Sequence, residues 1–108
     1  MKRGEVWWVD VTPSVGDEIR KTRPAGIVSN NAANAALNRV TVVPLTSNTE
    51  RMYPGEAFVR VARKRSKALG SQIMTVSKLR LKGRLVALSA DDMDAVEEAL
   101  MLQLGLRK

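Results

Sequence analysis

The chain has 108 residues, 44% of them hydrophobic and 27% charged, and a net charge of +7. That balance is one of a globular domain able to bury a core, and it excludes a disordered chain. Cysteine is absent, which excludes disulfides and thiolate metal sites and suits a cytoplasmic address; histidine is absent too, so the usual acid–base pair of ribonucleases is missing and any catalysis rests on Arg, Lys, Asp, Glu or hydroxyl groups.

Glu5 to Val11 is rich in residues that suit a pleated, half-buried surface and predicts a first strand. Trp7-Trp8 runs at once into Asp10, so no signal-peptide core is expected, and no apolar run approaches the ~20 residues that span a bilayer. Thr12 to Glu18 reads as a loop punctuated by Pro and Gly, long enough to act as a flap. Pro24 lacks a donor and is expected to open the second strand, which runs to Ser29. Asn30-Asn31 followed by an alanine-rich run predicts a capped short helix. Arg39 to Leu45 gives a third strand and Ala57 to Val61 a fourth, with Thr46 to Gly55 a loop between them; Lys67 to Val76 supplies one or two more strands. Leu79 to Leu88 is ambiguous between a short helical turn and an edge strand. Ser89 caps a terminal helix whose first turn carries Asp91 and Asp92, with Met93, Val96, Leu100 and Leu104 at helical spacing and Leu102 and Leu106 off that stripe. The order predicts a mainly β protein with helices: a small curled antiparallel sheet or barrel closed by the C-terminal helix, with residues 1–108 forming a single domain.

Charge is uneven along this order. Between Glu56 and Asp91 no acid occurs, while Arg60, Arg63, Lys64, Arg65, Lys67, Lys78, Arg80, Lys82 and Arg84 do. Such a stretch attracts polyanions. Two segments join apolar β-branched runs to groups that suit phosphate: Arg20 to Pro24 entering the second strand, and Thr46-Ser47 leaving the third. If the strands are neighbours, the Arg23 guanidinium and the Thr46 hydroxyl grip one phosphate at a sheet end. Spacing alone favours a surface arginine paired with Asp17 or Glu18. Trp7 and Trp8 face opposite sides of a strand, one toward the core and the other toward RNA or a second subunit. Asp91, Asp92 and Asp94 read as helix-dipole residues rather than a metal cluster.

Several motifs coincide in order with a known family: Lys2-Arg3-Gly4-Glu5-Val6-Trp7, the loop Pro13 to Gly16, Thr22-Arg23-Pro24, Ile27-Val28-Ser29-Asn30, Val43-Pro44-Leu45-Thr46-Ser47, Ser71-Gln72-Ile73 and the Leu79 to Leu88 stretch. In these the chain resembles the MazF/PemK toxin endoribonucleases. The resemblance implies an SH3-like small β-barrel, a homodimer, and cofactor-free, metal-independent cleavage of single-stranded RNA, restrained by an acidic, partly disordered antitoxin, with no membrane association. It implies Arg23 and Thr46 as the catalytic pair. Gly16, Glu18 and Gln72 match positions lining the RNA groove, with Lys21, Thr22, Ser47 and Asn48 as flanking RNA contacts. The PemK-type arginine and aspartate before the glutamine are replaced here by Leu69-Gly70-Ser71, so a MazF-type site is implied. The same barrel also serves gyrase-poisoning toxins that cleave nothing, and a basic SH3-like RNA-binding module is the other alternative.

Overall fold

Strand β1 (Glu5–Asp10) lies inside the sheet, because its two sides pair antiparallel with β2 (Thr22–Ile27) and with β7 (Leu81–Ala87). The computed structural model describes residues 1–11 and 21–106, so the expected loop of Thr12 to Glu18 lies outside the described residues. β2 begins two residues before the expected Pro24. The β1 partner carries Thr22 and Arg23 into the ladder, while β2 pairs with β3 (Arg39–Thr46) only from Ala25 onward. Pro24 therefore sits where that second side is open, and its missing donor breaks no bond there.

β3 organises the site. One side pairs with β2 through Val42 to Pro44; the other pairs with β6 (Met74–Ser77) through Arg39 to Val42 and with β5 (Lys64–Leu69) at Leu45 and Thr46. Between those two ladders lies Pro44, again at a place where a missing donor is tolerated. A 3-10 turn at Gly70–Gln72 connects β5 to β6 across this gap. β4 (Glu56–Val61) pairs with β5 and forms one sheet edge, β7 the other. The expected ambiguity at Leu79 to Leu88 resolves into both elements, a 3-10 turn at Lys78–Arg80 and then the edge strand β7.

The sheet is buried on both faces. Along β3, Val43 and Leu45 join a core with Val6, Val59, Leu88, Val96 and Ala99, while Val40 and Val42 join another with Val9, Ile27 and Leu81. That explains the near-continuous apolar run of β3. The helix α1 (Asn31–Ala36) is capped by Asn30, whose side chain accepts the Ala33 N–H. The terminal helix α2 (Ala90–Gln103) is capped by Ser89 and covers β4 with Val96 and Ala99. Leu104, the C-terminal cap of this helix, does not join the buried face but is exposed with Leu102 and Leu106. No helix among the described residues is long and apolar enough to cross a membrane.

Candidate active site

Arg23 lies at the start of β2 and Thr46 closes β3, and the antiparallel pairing brings these ends together. Both residues, with Leu45, line two adjoining clefts. The larger, about 380 Å³, is completed by Trp8, Pro24, Ser47, Val61, Ala62, Lys64, Ser66 and Leu85. The smaller, about 310 Å³, is completed by Val11, Pro44, Leu69, Gln72 and Met74. Gln72 reaches this place because the 3-10 turn crosses the gap between β5 and β6, beside Pro44. Ser71 is exposed but lines neither cleft.

The Thr46 hydroxyl is already oriented. Its Oγ1 accepts the Asn48 N–H at 3.2 Å. A hydroxyl that accepts on one side keeps its proton for a donation elsewhere. Asn48 thus touches the site through its backbone, although its side chain lines neither cleft and instead accepts the Glu50 N–H at 3.3 Å. Arg23 is exposed and forms no ion pair with a described residue.

Lys21 and Thr22 line neither cleft: both are exposed, and the Lys21 carbonyl accepts the Val11 N–H at 3.0 Å. Gly16 and Glu18 lie outside the described residues, as does any pairing of Arg23 with Asp17 or Glu18. The two tryptophans divide as expected. The Trp7 indole N–H donates to Glu5 Oε1 at 3.0 Å and the ring packs against the second core. Trp8, 40% exposed, forms part of the larger cleft's wall. Burial pushes the Glu5 carboxyl up, yet the Lys2 N–H, the Trp7 indole, the N-terminal ammonium and Arg84 outweigh it and hold the group below the usual carboxylate range. Lys64, Ser66 and Leu85 are cleft residues that the motifs did not single out. Lys64 was visible only as one of the nine bases, and Leu85 only as part of an ambiguous stretch.

The basic stretch does not form one continuous face. Lys67 is buried, Lys78 Nζ donates to the Asn34 carbonyl, Arg80 Nη1 donates to the Asp10 carbonyl at 3.2 Å, and Arg84 pairs with Glu5 at 3.3 Å. The acids of α2 serve the fold. Asp92 Oδ2 accepts the Arg60 N–H of the edge strand β4 at 2.9 Å, and its own N–H donates to Ser89 Oγ at 3.1 Å. Among the described residues no group of three or more acids is placed to hold a metal ion.

An antiparallel half-barrel carries a helix across one side, and a guanidinium and a hydroxyl converge on clefts at a strand end, a pairing able to hydrogen-bond an anion. The family described as PemK-like, MazF-like toxin of type II toxin-antitoxin system matches residues 2–104, and the chain belongs to it. It is similar to endoribonuclease MazF9 of Mycobacterium tuberculosis (strain ATCC 25618 / H37Rv), with 37% identity over 115 residues that cover 98% of each chain. It is also similar to a probable endoribonuclease MazF1 of the same organism, 53% identical over 61 residues covering 51% of this chain and 66% of that one. Among solved structures, an endoribonuclease in complex with its cognate antitoxin from a mycobacterial species superimposes with a TM-score of 0.83 and 28% identity, covering 100% of this chain and 98% of that one.

Proposed function

We propose that this chain, read as one toxin domain over residues 1–108, is a cytoplasmic, metal-independent endoribonuclease that cuts single-stranded RNA, with Arg23 and Thr46 as its catalytic pair. The observation that carries the reading is the convergence of these two side chains on the same pair of clefts, with the Thr46 oxygen already accepting a backbone N–H. The names of the relatives point the same way.

RNA supplies its own nucleophile. The ribose 2′-hydroxyl attacks the adjacent phosphorus in line, the bond from phosphorus to the 5′-oxygen breaks, and a 2′,3′-cyclic phosphate and a 5′-hydroxyl result. The proton lost by the 2′-oxygen is matched by one gained by the departing 5′-oxygen. Negative charge builds meanwhile on the non-bridging oxygens. The Arg23 guanidinium and the Thr46 hydroxyl proton are the donors that meet it. Arginine is too weak an acid to give up its proton at neutral pH, so Arg23 acts as a fixed positive donor rather than a base. Gln72 and Ser47, one in each cleft, are the groups this reading assigns to the nucleotides flanking the cut. The active form in this reading is a homodimer, and an acidic, partly disordered antitoxin restrains it by covering the cleft.

The test is purified protein with a long single-stranded RNA in EDTA, followed by end mapping, and a matched substrate with a 2′-deoxynucleotide just 5′ of the cut. The proposal expects cyclic-phosphate ends, no effect of chelator, and an uncut but bound deoxy substrate. Cleavage at the deoxy position or a strict magnesium requirement overturns the mechanism. Tight RNA binding without any cleavage makes the chain an RNA-binding module instead.

A further inference from the structure

A buried ammonium beside the cleft has no part in the scheme above. Among the described residues Lys67 is the one charged residue that the fold buries, at 7% exposure. A buried charge persists only where partners replace the lost water. Lys67 Nζ donates to Glu56 Oε1 at 2.9 Å and to the Arg51 carbonyl, and lies 5.5 Å from the centre of the Tyr53 ring. Glu56 Oε1 also accepts the Tyr53 N–H at 2.9 Å, and the Glu56 N–H returns a bond to the Tyr53 carbonyl at 3.1 Å. One ion pair therefore fastens the strap from Arg51 to Glu56 at both ends.

That strap is the far end of the loop leaving β3 at Thr46. At the near end the Asn48 N–H donates to Thr46 Oγ1, and Asn48 Oδ1 accepts the Glu50 N–H. Arg51 follows directly, and its carbonyl is the one Lys67 holds. In the β3–β5 ladder Lys67 lies directly opposite Thr46. Both ends of the loop are thus referred to a single rung of the sheet.

We propose that Lys67, paired with Glu56, is a positioning residue for the Thr46 hydroxyl. Free of other bonds, a threonine hydroxyl rotates among several directions. The Asn48 N–H takes one of its lone pairs and directs the proton away, toward the cleft, but only while the loop keeps Asn48 in register. An apolar pair of similar volume in place of Lys67 and Glu56 fills the space yet releases the Arg51 carbonyl and the Tyr53 N–H, and the loop then drifts. The rate effect rests on the nuclease reading above; the effect on the loop does not.

The test compares wild type with Lys67→Met/Glu56→Leu, which removes both charges and leaves no unpaired buried ion. Glu56→Gln, which keeps shape and the Tyr53 bond while weakening the ion pair, serves if the double replacement does not fold. Two readouts are taken: single-turnover cleavage of saturating single-stranded RNA, and amide hydrogen exchange at Asn48, which needs no activity. Loosened placement of a donor should lower the cleavage rate about tenfold to a hundredfold, with RNA affinity within about twofold of wild type and faster Asn48 exchange. In a Thr46→Ala background the same replacements should cause no further loss, since the pair acts through that hydroxyl. Unchanged Asn48 exchange, or an equal fractional loss in the Thr46→Ala background, overturns the proposal. If wild type itself cuts no RNA, the nuclease reading fails and Asn48 exchange alone decides the positioning role.

Discussion

In the proposed mechanism Arg23 and Thr46 contribute different things, a fixed positive charge and a directed proton, and neither belongs to the buried core. Each sits at a strand end with its side chain at least partly exposed. Arg23→Ala and Thr46→Ala should therefore leave melting temperature nearly unchanged while lowering single-turnover cleavage by about 10²–10³, the usual loss for one charge-stabilising donor. Wild-type cleavage by the folded Arg23→Ala protein would remove it from the catalytic pair. Glu56 supplies a pH dependence. Burial pushes its carboxyl up, but the Tyr53 N–H, the Lys67 hydrogen bond and the Lys67 charge together hold it below the ordinary value of 4.5. A carboxyl whose pKa falls on folding stabilises the protein above its unfolded value, and that contribution is lost as pH drops through the folded value. Thermal melts should show stability declining as pH falls below 4.5, with a shallower decline in Glu56→Gln. An identical acid slope in the variant would refute this.

At the scale of elements, the loop after β3 and the turn bearing Gln72 are fastened to each other by two glycines. The Gly70 N–H donates to the Gly55 carbonyl at 3.1 Å, and a Cβ on Gly70 would stand 2.1 Å from that oxygen. Backbone cannot yield as a flexible side chain does. Gly70→Ala should cost roughly 1–3 kcal/mol, as overpacking typically does, and weaken RNA binding by displacing Gln72; an unchanged denaturant midpoint would contradict the close approach. This contact is not legible in the sequence, where Gly70 falls inside the expected strand region of Lys67 to Val76. The strands with β-branched cores and both helix caps were legible, because Val40 to Leu45 and Ser89 with Asp91 and Asp92 state their roles locally. The start of β5 was not. Its first residues are Lys64 and Arg65, and the turn before it is Ala62-Arg63, both at positive φ without the glycine or asparagine that normally signals such a hairpin. The burial of Lys67 was likewise hidden, since its partner Glu56 becomes a neighbour only through the β4–β5 pairing. The motifs named Arg23 and Thr46, but only strand order brings them together, and strand order is not written in spacing.

For the whole molecule, the acid-free stretch is worth less as a polyanion surface than its count of bases implies. Lys67, Lys78, Arg80 and Arg84 hold the fold through bonds to carbonyls or acids, and Arg65 stacks 3.8 Å from the centre of the Phe58 ring. Arg23, Arg60, Arg63, Lys64 and Lys82 are exposed and make no ion pair with a described residue. If these five meet phosphates, the logarithm of affinity for single-stranded RNA should fall with the logarithm of salt at a slope of about −3.5, whereas all nine bases of the stretch would give about −6. Binding of a deoxy-blocked RNA across a salt series measures it, and the steeper slope would return the internal bases to the surface. Charge here divides its labour: part of it builds the scaffold and part of it stays at the surface.

The pairing of β1 with β7 has a consequence for how the protein is made. The larger cleft has Trp8 from the first strand and Leu85 from the last sheet strand among its walls, and these strands join across nearly the whole chain. A ribosome delivers β7 only after every other strand has emerged, and long-range pairing of this kind forms late. A growing chain therefore carries Arg23 and Thr46 on an unfinished wall, and an enzyme that cuts RNA is kept unassembled beside the message that encodes it.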